Sequence, residues 1–204
     1  MAIVDDKSTT STTLNSEQGP TRRAILEPAL ALTLAAPLRV LGQAGPGAPE
    51  KMRPQPGDRL VFAFGSREGE PLQPEELTVA SKPVAAWPMS DDAGVVRSGS
   101  RLNRVMVMRL DPATLSEKTA QGAADGIVAY SAVCTHTGCD VSDWREETHR
   151  LVCPCHESEF EVSDGARVLT GPAPKPLAML PLEIAEGELR VARGFTRRVG
   201  FQRQ

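Results

Sequence analysis

Short apolar stretches bounded by polar or turn-forming residues recur from about residue 60 onward. None of them continues with the 3.6-residue period of an amphipathic helix, and most are rich in β-branched residues. The pattern predicts an all-β fold, an antiparallel domain of short strands. The stretches lie at 60–64, 104–110, 127–133, 149–152, 182–184 and 189–191, and the last two flank the turn dipeptide Glu186-Gly187.

Composition divides the chain into three regions. Residues 1–43 form a polar lead followed by an apolar run, and residues 44–57 repeat Gly and Pro in the manner of a semi-extended linker. We expect one folded domain at 58–204, because about 145 residues are enough for a single core. Inside it, the polar and proline-rich stretch 66–101 is predicted to be a loop of unusual length that either wraps a partner or pads the sheet. The basic segment 193–198 is predicted to be a solvated terminus, with contact to an acidic partner or to lipid headgroups as the alternative.

The N-terminal region has the order of a twin-arginine export signal. Arg22-Arg23 precede an uncharged, mostly apolar run at 28–38, and Gly42-Gln43-Ala44 offers a small-x-small cleavage site. The run is shorter than the ~18–20 residues that cross a bilayer. Cleavage and retention as a membrane anchor therefore both stay open, and an ordinary amphipathic helix is the alternative. The net charge of −3 gives no indication of nucleic-acid binding.

All four cysteines and two of the three histidines lie in two short segments. These are Cys134-Thr135-His136-Thr137-Gly138-Cys139 and Cys153-Pro154-Cys155-His156-Glu157-Ser158. Each segment offers one Cys and one His as ligands, and two thiolates with two imidazoles suit either zinc or a two-iron cluster with unlike iron sites. Cys139 and Cys155 occupy equivalent places, so they come close together if both segments converge on one metal centre. The third histidine, His149, lies in a polar run and is predicted to be a solvated loop or strand-edge residue.

In order and spacing, the two segments resemble the two cluster-binding boxes of Rieske iron–sulfur proteins. The resemblance covers about 126–182 and includes Gly171-Pro172-Ala173-Pro174, which is similar to the family's proline loop over the cluster. It implies one 2Fe–2S cluster per chain, with Cys134 and Cys153 on one iron, and His136 and His156 on the other. It also implies a disulfide between Cys139 and Cys155.

Three positions bear on the reduction potential that the resemblance implies. Ser158 stands where the family places a serine that donates a hydrogen bond to a cluster sulfide. Phe160 stands where high-potential members have a tyrosine that donates to a ligand cysteine, and Glu157 replaces the usual glycine. A missing donor and an added carboxylate both disfavour the more negative reduced state. We therefore expect a potential below that of quinol-oxidising members with both donors, and above that of oxygenase ferredoxins.

The resemblance implies one-electron transfer as a subunit of a membrane-associated respiratory complex, beside a cytochrome b-type or other redox subunit. Quinol is the implied donor and a c-type cytochrome the implied acceptor, and the subunit would not catalyse alone. His136 and His156 are the candidates for the quinol contact, because a ligating imidazole keeps one ring nitrogen free. The predicted location is the periplasmic face of the bacterial inner membrane, since a disulfide requires an oxidising compartment.

Three alternatives remain at this stage. Phe160 also suits the small Rieske subunit of a periplasmic molybdenum oxidoreductase such as arsenite oxidase. An oxygenase-type Rieske ferredoxin is disfavoured by Cys139 and Cys155, because that group lacks the disulfide pair. A zinc-held, non-redox binding module would use four of the six Cys and His residues and leave the same two cysteines without a role.

Overall fold

The computed structural model describes residues 47–201, and β-strands dominate them. The longest helix among these residues, α1, has four residues (Glu117–Ala120), and no helix in this part of the chain has the length and apolarity needed to cross a membrane. The predicted all-β, antiparallel class is confirmed. The strands are β1 Arg59–Phe62, β2 Val84–Met89, β3 Val105–Arg109, β4 Ile127–Ser131, β5 Asp143–Arg145, β6 Arg150–Cys153, β7 Ser158–Glu161, β8 Arg167–Thr170, β9 Leu182–Ala185 and β10 Glu188–Val191. Short 3₁₀ helices lie at Pro49–Lys51, Pro74–Glu76, Arg101–Asn103 and Pro112–Thr114.

Six strands form a base sheet in the order β4-β3-β2-β1-β10-β9, with antiparallel neighbours throughout. The β9–β10 hairpin has the predicted register, and Glu186 and Gly187 both have positive φ at its turn (55° and 80°). Such a turn matches the twist of the two strands, and it places the less favourable left-handed conformation on one non-glycine residue. The base core contains Leu60, Ala86, Val105, Val107, Ile127, Ala129, Leu180, Leu182, Leu189 and Val191.

The second strand of the base sheet lies inside the stretch 66–101, so the prediction of a continuous loop there was wrong. Pro88 belongs to β2 and stands opposite Leu60, whose carbonyl oxygen instead accepts from Leu72 N (2.8 Å). On the other side, the pairing of β2 with β3 ends at Ala86. Pro88 therefore lies where neither neighbouring strand needs an amide hydrogen, which is the position in which a sheet tolerates proline.

Four further strands form a smaller sheet, β5-β6-β7-β8, which we call the cluster sheet. Odd-numbered residues of β3 and β4 face the base core, whereas their even-numbered residues pack against side chains of the cluster sheet. Because both faces are covered, these two strands are apolar without alternation. Tyr130 Oη donates to Val162 O (2.7 Å) and joins the two sheets. Burial raises the pKa of this phenol, so it stays a neutral donor.

The predicted N-terminal segment 1–43 lies outside the described residues. Within the predicted linker range 44–57, the residues from Pro49 onward contact the folded domain. Glu50 O accepts from Gly99 N (2.9 Å), and Met52 O accepts from Asn103 Nδ2 (2.7 Å). A buried ion pair between Asp58 and Arg97 follows (2.6 and 2.8 Å) and fixes the start of β1.

Candidate metal centre

The two Cys/His segments form loops at neighbouring ends of the two sheets. The first loop, residues 134–139, follows β4 and closes on itself through Cys134 N to Cys139 O (2.8 Å) and Gly138 N to Cys134 O (3.1 Å). Gly138 has φ of 83°, a conformation that suits glycine. The second loop, residues 153–158, joins β6 to β7, and Glu157 N donates to Cys153 O (2.9 Å). Both loops are short turns. Cys153 is the last residue of β6, and Cys134 follows β4 after two buried residues.

Cys134 and Cys153 are buried side by side with free thiols, each only 1% exposed. Burial and, to a smaller degree, the neighbouring Cys153 thiol raise the pKa of Cys134 to about 11. Thiolates in an apolar core need a positive charge to stabilise them. A bound metal supplies that charge, because a coordinating thiol is deprotonated outright. These two side chains therefore fit sulfur ligands of one metal ion.

His136 and His156 meet at the tip of the two loops. Their Nδ1 atoms lie 3.2 Å apart, the ring centroids are 4.6 Å apart, and the ring planes are nearly perpendicular (85°). The Nδ1 atoms thus converge, while each Nε2 lies on the far side of its ring. His156 is exposed and His136 is half-buried. The geometry is that of two imidazoles turned toward a shared point, with their second nitrogens left for other contacts.

Cys139 and Cys155 are paired at disulfide distance, with Cα atoms 6.5 Å apart. The Sγ atoms of these two residues and of Cys153 also lie within 4.8 Å of one another, a spacing that by itself suits a metal. Sulfurs paired with each other have no thiolate to offer, so the free thiols of Cys134 and Cys153 are the candidate sulfur ligands.

A third segment, residues 171–176, covers the two loops and is tied to each by one hydrogen bond. Thr135 Oγ1 donates to Lys175 O (2.6 Å), and Ser158 Oγ accepts from Ala173 N (3.1 Å). Gly171 has φ of 87°, and a Cβ there would lie 2.5 Å from Ser158 Cα. Only glycine fits this approach. The resemblance drew attention to the proline loop, but the buried Thr135 that anchors it carried no signal beyond its place in the motif.

The positions expected to tune the potential lie in different surroundings. Ser158 is fully buried, and because its oxygen accepts from Ala173, its hydroxyl hydrogen is free to point elsewhere. Phe160 is also fully buried and packs in the same apolar cluster as Cys134 and Cys153. Glu157 is exposed and has φ of 55°, a left-handed conformation that costs a non-glycine residue about 1 kcal/mol.

His149 lies away from the two loops. It is exposed, has φ of 50° in the turn between β5 and β6, and stacks on Trp144 with ring centroids 5.9 Å apart. The prediction of a solvated position for this residue agrees with that geometry. It leaves two thiols and two imidazoles as the donor set at the tip of the loops.

This donor set fits a 2Fe–2S cluster with unlike iron sites. Two buried thiols on one side and two imidazoles on the other, one exposed and one half-buried, match a cluster in which sulfur ligates one iron and nitrogen the other. The two loops extend from different strands, and each contributes one cysteine and one histidine to the donor set. A single tetrahedral zinc would satisfy the same four atoms, so the distinction rests on the family to which the chain belongs.

Comparison with known proteins identifies that family. The family model described as "Rieske [2Fe-2S] domain" matches residues 74–181. The chain is 34% identical over 158 residues to the "Cytochrome bc1 complex Rieske iron-sulfur subunit" of Streptomyces lividans, covering 72% of this chain and 93% of that protein. The protein of the same name from Streptomyces coelicolor is also 34% identical over 158 residues, but the match covers 45% of it. The Mycobacterium tuberculosis protein of that name is 31% identical over 153 residues, 66% of this chain and 36% of that protein.

Two further similarities are more limited. A Rieske subunit assigned in name to a respiratory nitrate reductase of Haloferax mediterranei is 47% identical over 69 residues, 34% of this chain and 30% of that protein. Among solved structures, the soluble domain of Rieske protein II from Sulfolobus acidocaldarius covers 47% of this chain and 66% of its own length, with 22% identity and a TM-score of 0.35. The family match over more than half of the chain and the high coverage of the Streptomyces lividans relative show that this chain belongs to the Rieske [2Fe-2S] family, whose cofactor is a 2Fe–2S cluster.

Proposed function

We propose that the protein is the one-electron carrier subunit of a quinol–cytochrome c reductase of the bc1 type. The observation that supports this most strongly is that two loops bring together two buried thiols and two imidazoles, one exposed and one half-buried. When bound, the 2Fe–2S cluster supplies a single-electron acceptor whose potential is raised by its neutral imidazole ligands. The names of the bacterial relatives, which are bc1 complex subunits, support the choice of complex.

The proposed ligands are Cys134 and Cys153 for one iron, and His136 and His156 for the other. The cysteines hold the buried side, where the apolar core excludes water. The histidines hold the exposed side through Nδ1, because those are the atoms that converge. A disulfide between Cys139 and Cys155 would join the two loops, so neither loop could move away without the other.

The proposed proton chemistry belongs to the histidine edge. With Nδ1 turned inward, Nε2 lies on the other side of the exposed His156 ring and carries the hydrogen of the neutral imidazole. After that hydrogen has left as a proton, the deprotonated Nε2 could accept a hydrogen bond or the proton from a hydroquinone hydroxyl. The ring of His136, which is half-buried, would lie beside the His156 ring. Oxidation of a hydroquinone releases an electron and a proton together, and a surface imidazole in contact with the donor can take the proton.

The proposed partners follow from the complex. A cytochrome b-type subunit would present the quinol, and a c-type cytochrome would accept the electron. We further propose export by the twin-arginine route to the periplasmic face of the inner membrane, on the strength of Arg22-Arg23 and the cysteine pair. A Rieske subunit of another respiratory oxidoreductase is the second candidate, favoured by the 47% identity over 69 residues to the Haloferax mediterranei protein.

Purification of the full chain under anaerobic conditions tests the proposal. We expect stoichiometric iron and acid-labile sulfide, a visible absorption band that bleaches on reduction, and an EPR signal in the reduced state only. A colourless protein that contains one zinc ion and is silent in EPR would support a zinc-held module. Copurification with a cytochrome b supports the bc1 assignment, whereas copurification with a molybdenum-containing subunit supports an oxidoreductase of the arsenite oxidase kind.

A further inference from the structure

Two side chains distant in sequence flank the first loop at Gly138. Arg101 Nη1 and Phe201 Cβ each lie 3.9 Å from the position that a Cβ on Gly138 would occupy. Phe201 is 48% exposed, and the Arg101 side chain is 52% exposed. An aromatic ring and a guanidinium therefore stand on the surface directly beside the loop that carries His136.

Two more arginines continue this surface. Arg53 Nη1 donates to the carbonyl oxygen of Leu102, the residue that follows Arg101 (3.0 Å). The pKa of Arg53 is lowered by burial and, to a lesser degree, by the positive charge of Arg198, which therefore lies nearby. Both arginines are exposed. We call the surface formed by Arg53, Arg101, Arg198 and Phe201 the basic flank.

The basic flank carries an excess of positive charge. Asp140 is the acidic neighbour, and it is shared between Arg101 (2.5 Å) and Arg104 (2.6 Å). Among residues 47–201, no carboxylate forms an ion pair with Arg53 or Arg198. Four arginines thus stand against one aspartate in a chain whose net charge is −3. This local excess of charge is opposite in sign to the formal net charge of the chain.

The C-terminal part of the basic flank is held in place by apolar packing. Val199 is buried against Val133 and Ala178, and a Cβ on Gly200 would lie 3.0 Å from Val133 Cγ1. Thr196 N donates to Met179 O (2.9 Å), and Thr196 Oγ1 accepts from Met179 N (3.1 Å). Arg198 and Phe201 are therefore displayed from a fixed segment, which reduces the conformational entropy that a partner would have to remove.

We propose that the basic flank is a docking surface for an acidic electron-transfer protein that exchanges electrons at the histidine edge. The proposal rests on the proposed function. An excess of three positive charges around an exposed aromatic ring suits a small, transient redox encounter, in which charge steers the approach and the ring supplies apolar contact. The second loop carries the exposed acid Glu157 instead, so the charge asymmetry fixes which side the partner approaches.

A membrane surface is the less suitable occupant. Clusters that bind anionic lipid headgroups usually contain about four to eight Lys or Arg residues, and each residue contributes about 1 kcal/mol to binding. The basic flank offers three arginines at the surface, and the side chain of the neighbouring Arg104 is only 13% exposed. Arg101 also stands directly beside the first loop, where an electron must leave.

The test compares two charge reversals of equal size. Arg198→Glu alters the basic flank, and Lys118→Glu is the matched control. Lys118 is exposed on α1, whose Thr119 accepts from Gly165 N in the β7–β8 turn, at the end of β7 opposite the cluster loops. Each variant is purified with its cluster, and its visible and EPR spectra are checked against wild type. Stopped-flow kinetics then follow the oxidation of the reduced protein by an acidic c-type cytochrome and by a basic one, at low and high salt.

With the acidic cytochrome, we expect the wild-type rate constant to fall about ten-fold as salt rises, and Arg198→Glu to lower the low-salt value about five-fold. Lys118→Glu should change it less than about two-fold, and neither variant should slow the basic cytochrome. Equal effects of the two variants would overturn the proposal, because only net charge would then matter. Loss of binding to phosphatidylcholine–phosphatidylglycerol vesicles without any change in these rates would overturn it in favour of a lipid contact. A protein without a cluster would be detected by the spectra beforehand and would refute the proposed function instead.

Discussion

The two cluster loops resemble each other in sequence but are held in different ways. The second loop is the turn of a single hairpin, and its residues from Pro154 to Glu157 are exposed. The first loop has Cys134 and Thr135 buried, and its base at Val133 contacts the C-terminal residues Val199 and Gly200. One loop is thus supported by neighbouring strands of its own hairpin, and the other by segments more than 60 residues away in sequence.

This difference indicates in which parts of the chain a substitution should disturb the candidate ligands of each loop. Changes in β6 and β7 should act first on the second loop, whereas the 171–176 segment is hydrogen-bonded to both loops. Changes in the C-terminal segment should act first on the first loop, although that segment lies outside the family match at 74–181. The proposed disulfide between Cys139 and Cys155 would join the two loops, so large disturbances of either loop should reach the other.

The largest expected effect comes from removing one ligand of each loop. We expect His136→Ala and His156→Ala each to abolish the cluster, because an iron that loses one of its two protein ligands is no longer held. His149→Ala is the control, since His149 lies in the β5–β6 turn. Iron and sulfide analysis measures the outcome. Retention of the cluster in His156→Ala, or its loss in His149→Ala, would contradict the ligand assignment.

A second prediction concerns the support of the second loop. Gly171→Ala places a Cβ 2.5 Å from Ser158 Cα at a φ of 87°, and we expect the free energy of unfolding to fall by about 2–4 kcal/mol with rapid loss of the cluster. Gly165→Ala is the matched control, because Gly165 also has positive φ (61°) but its Cβ would meet nothing within 4 Å. It should cost only about 1 kcal/mol. Urea unfolding, followed by fluorescence and by cluster absorbance, compares the two variants.

A third prediction concerns the support of the first loop. Gly200→Ala adds a Cβ 3.0 Å from Val133 Cγ1, and we expect it to open the first loop and to speed alkylation of Cys134 several-fold in metal-depleted protein. Gly187→Ala is the control, because it has the same backbone penalty (φ of 80°) and an open site. Mass spectrometry locates the alkylated cysteines. Equal labelling in both variants would show that the C-terminal segment does not support this loop.

The smallest expected effects are shifts in reduction potential. Phe160→Tyr would add a hydrogen-bond donor beside the buried cysteines and should raise the reduction potential. A hydrogen bond worth about 1 kcal/mol corresponds to about 40 mV for one electron. Glu157→Gln removes a carboxylate from the second loop without changing its backbone, and should raise the potential by a smaller amount. Protein-film voltammetry measures both. A downward shift in either variant would refute the account of these two positions.

The fold class and the site differ in how far the sequence predicts them. Most strands outside 66–101 follow from short apolar runs, because each buries at least one face. β2 was missed because a proline such as Pro88 normally argues against a strand. It is tolerated here because the strands beside it need no amide hydrogen at that position, which only the folded structure shows. The tail was predicted to be solvated from its arginines, and Arg193 and Arg198 are exposed, but Val199 is only 3% exposed. Burial of that kind depends on packing against Val133, which no local pattern shows.

The site was predictable in composition, since the spacing of cysteines and histidines carries the resemblance. Its supports were not predictable in the same way. Thr135 and Ser158 fix the 171–176 segment through single hydrogen bonds across 40 and 15 residues of chain. Such contacts form only when three segments meet in the folded state. The sequence therefore identifies the residues of the site but not the hydrogen bonds between them.

The central claim is that two iron atoms are bound by unlike pairs of ligands, thiolates on the buried side and imidazoles on the exposed side. Mössbauer spectroscopy of the ⁵⁷Fe-labelled, reduced protein tests it most directly. We predict two inequivalent iron sites in equal amounts, with the added electron localised on the site whose parameters indicate nitrogen ligands. Two equivalent sulfur-ligated irons, or the absence of bound iron, would contradict the claim.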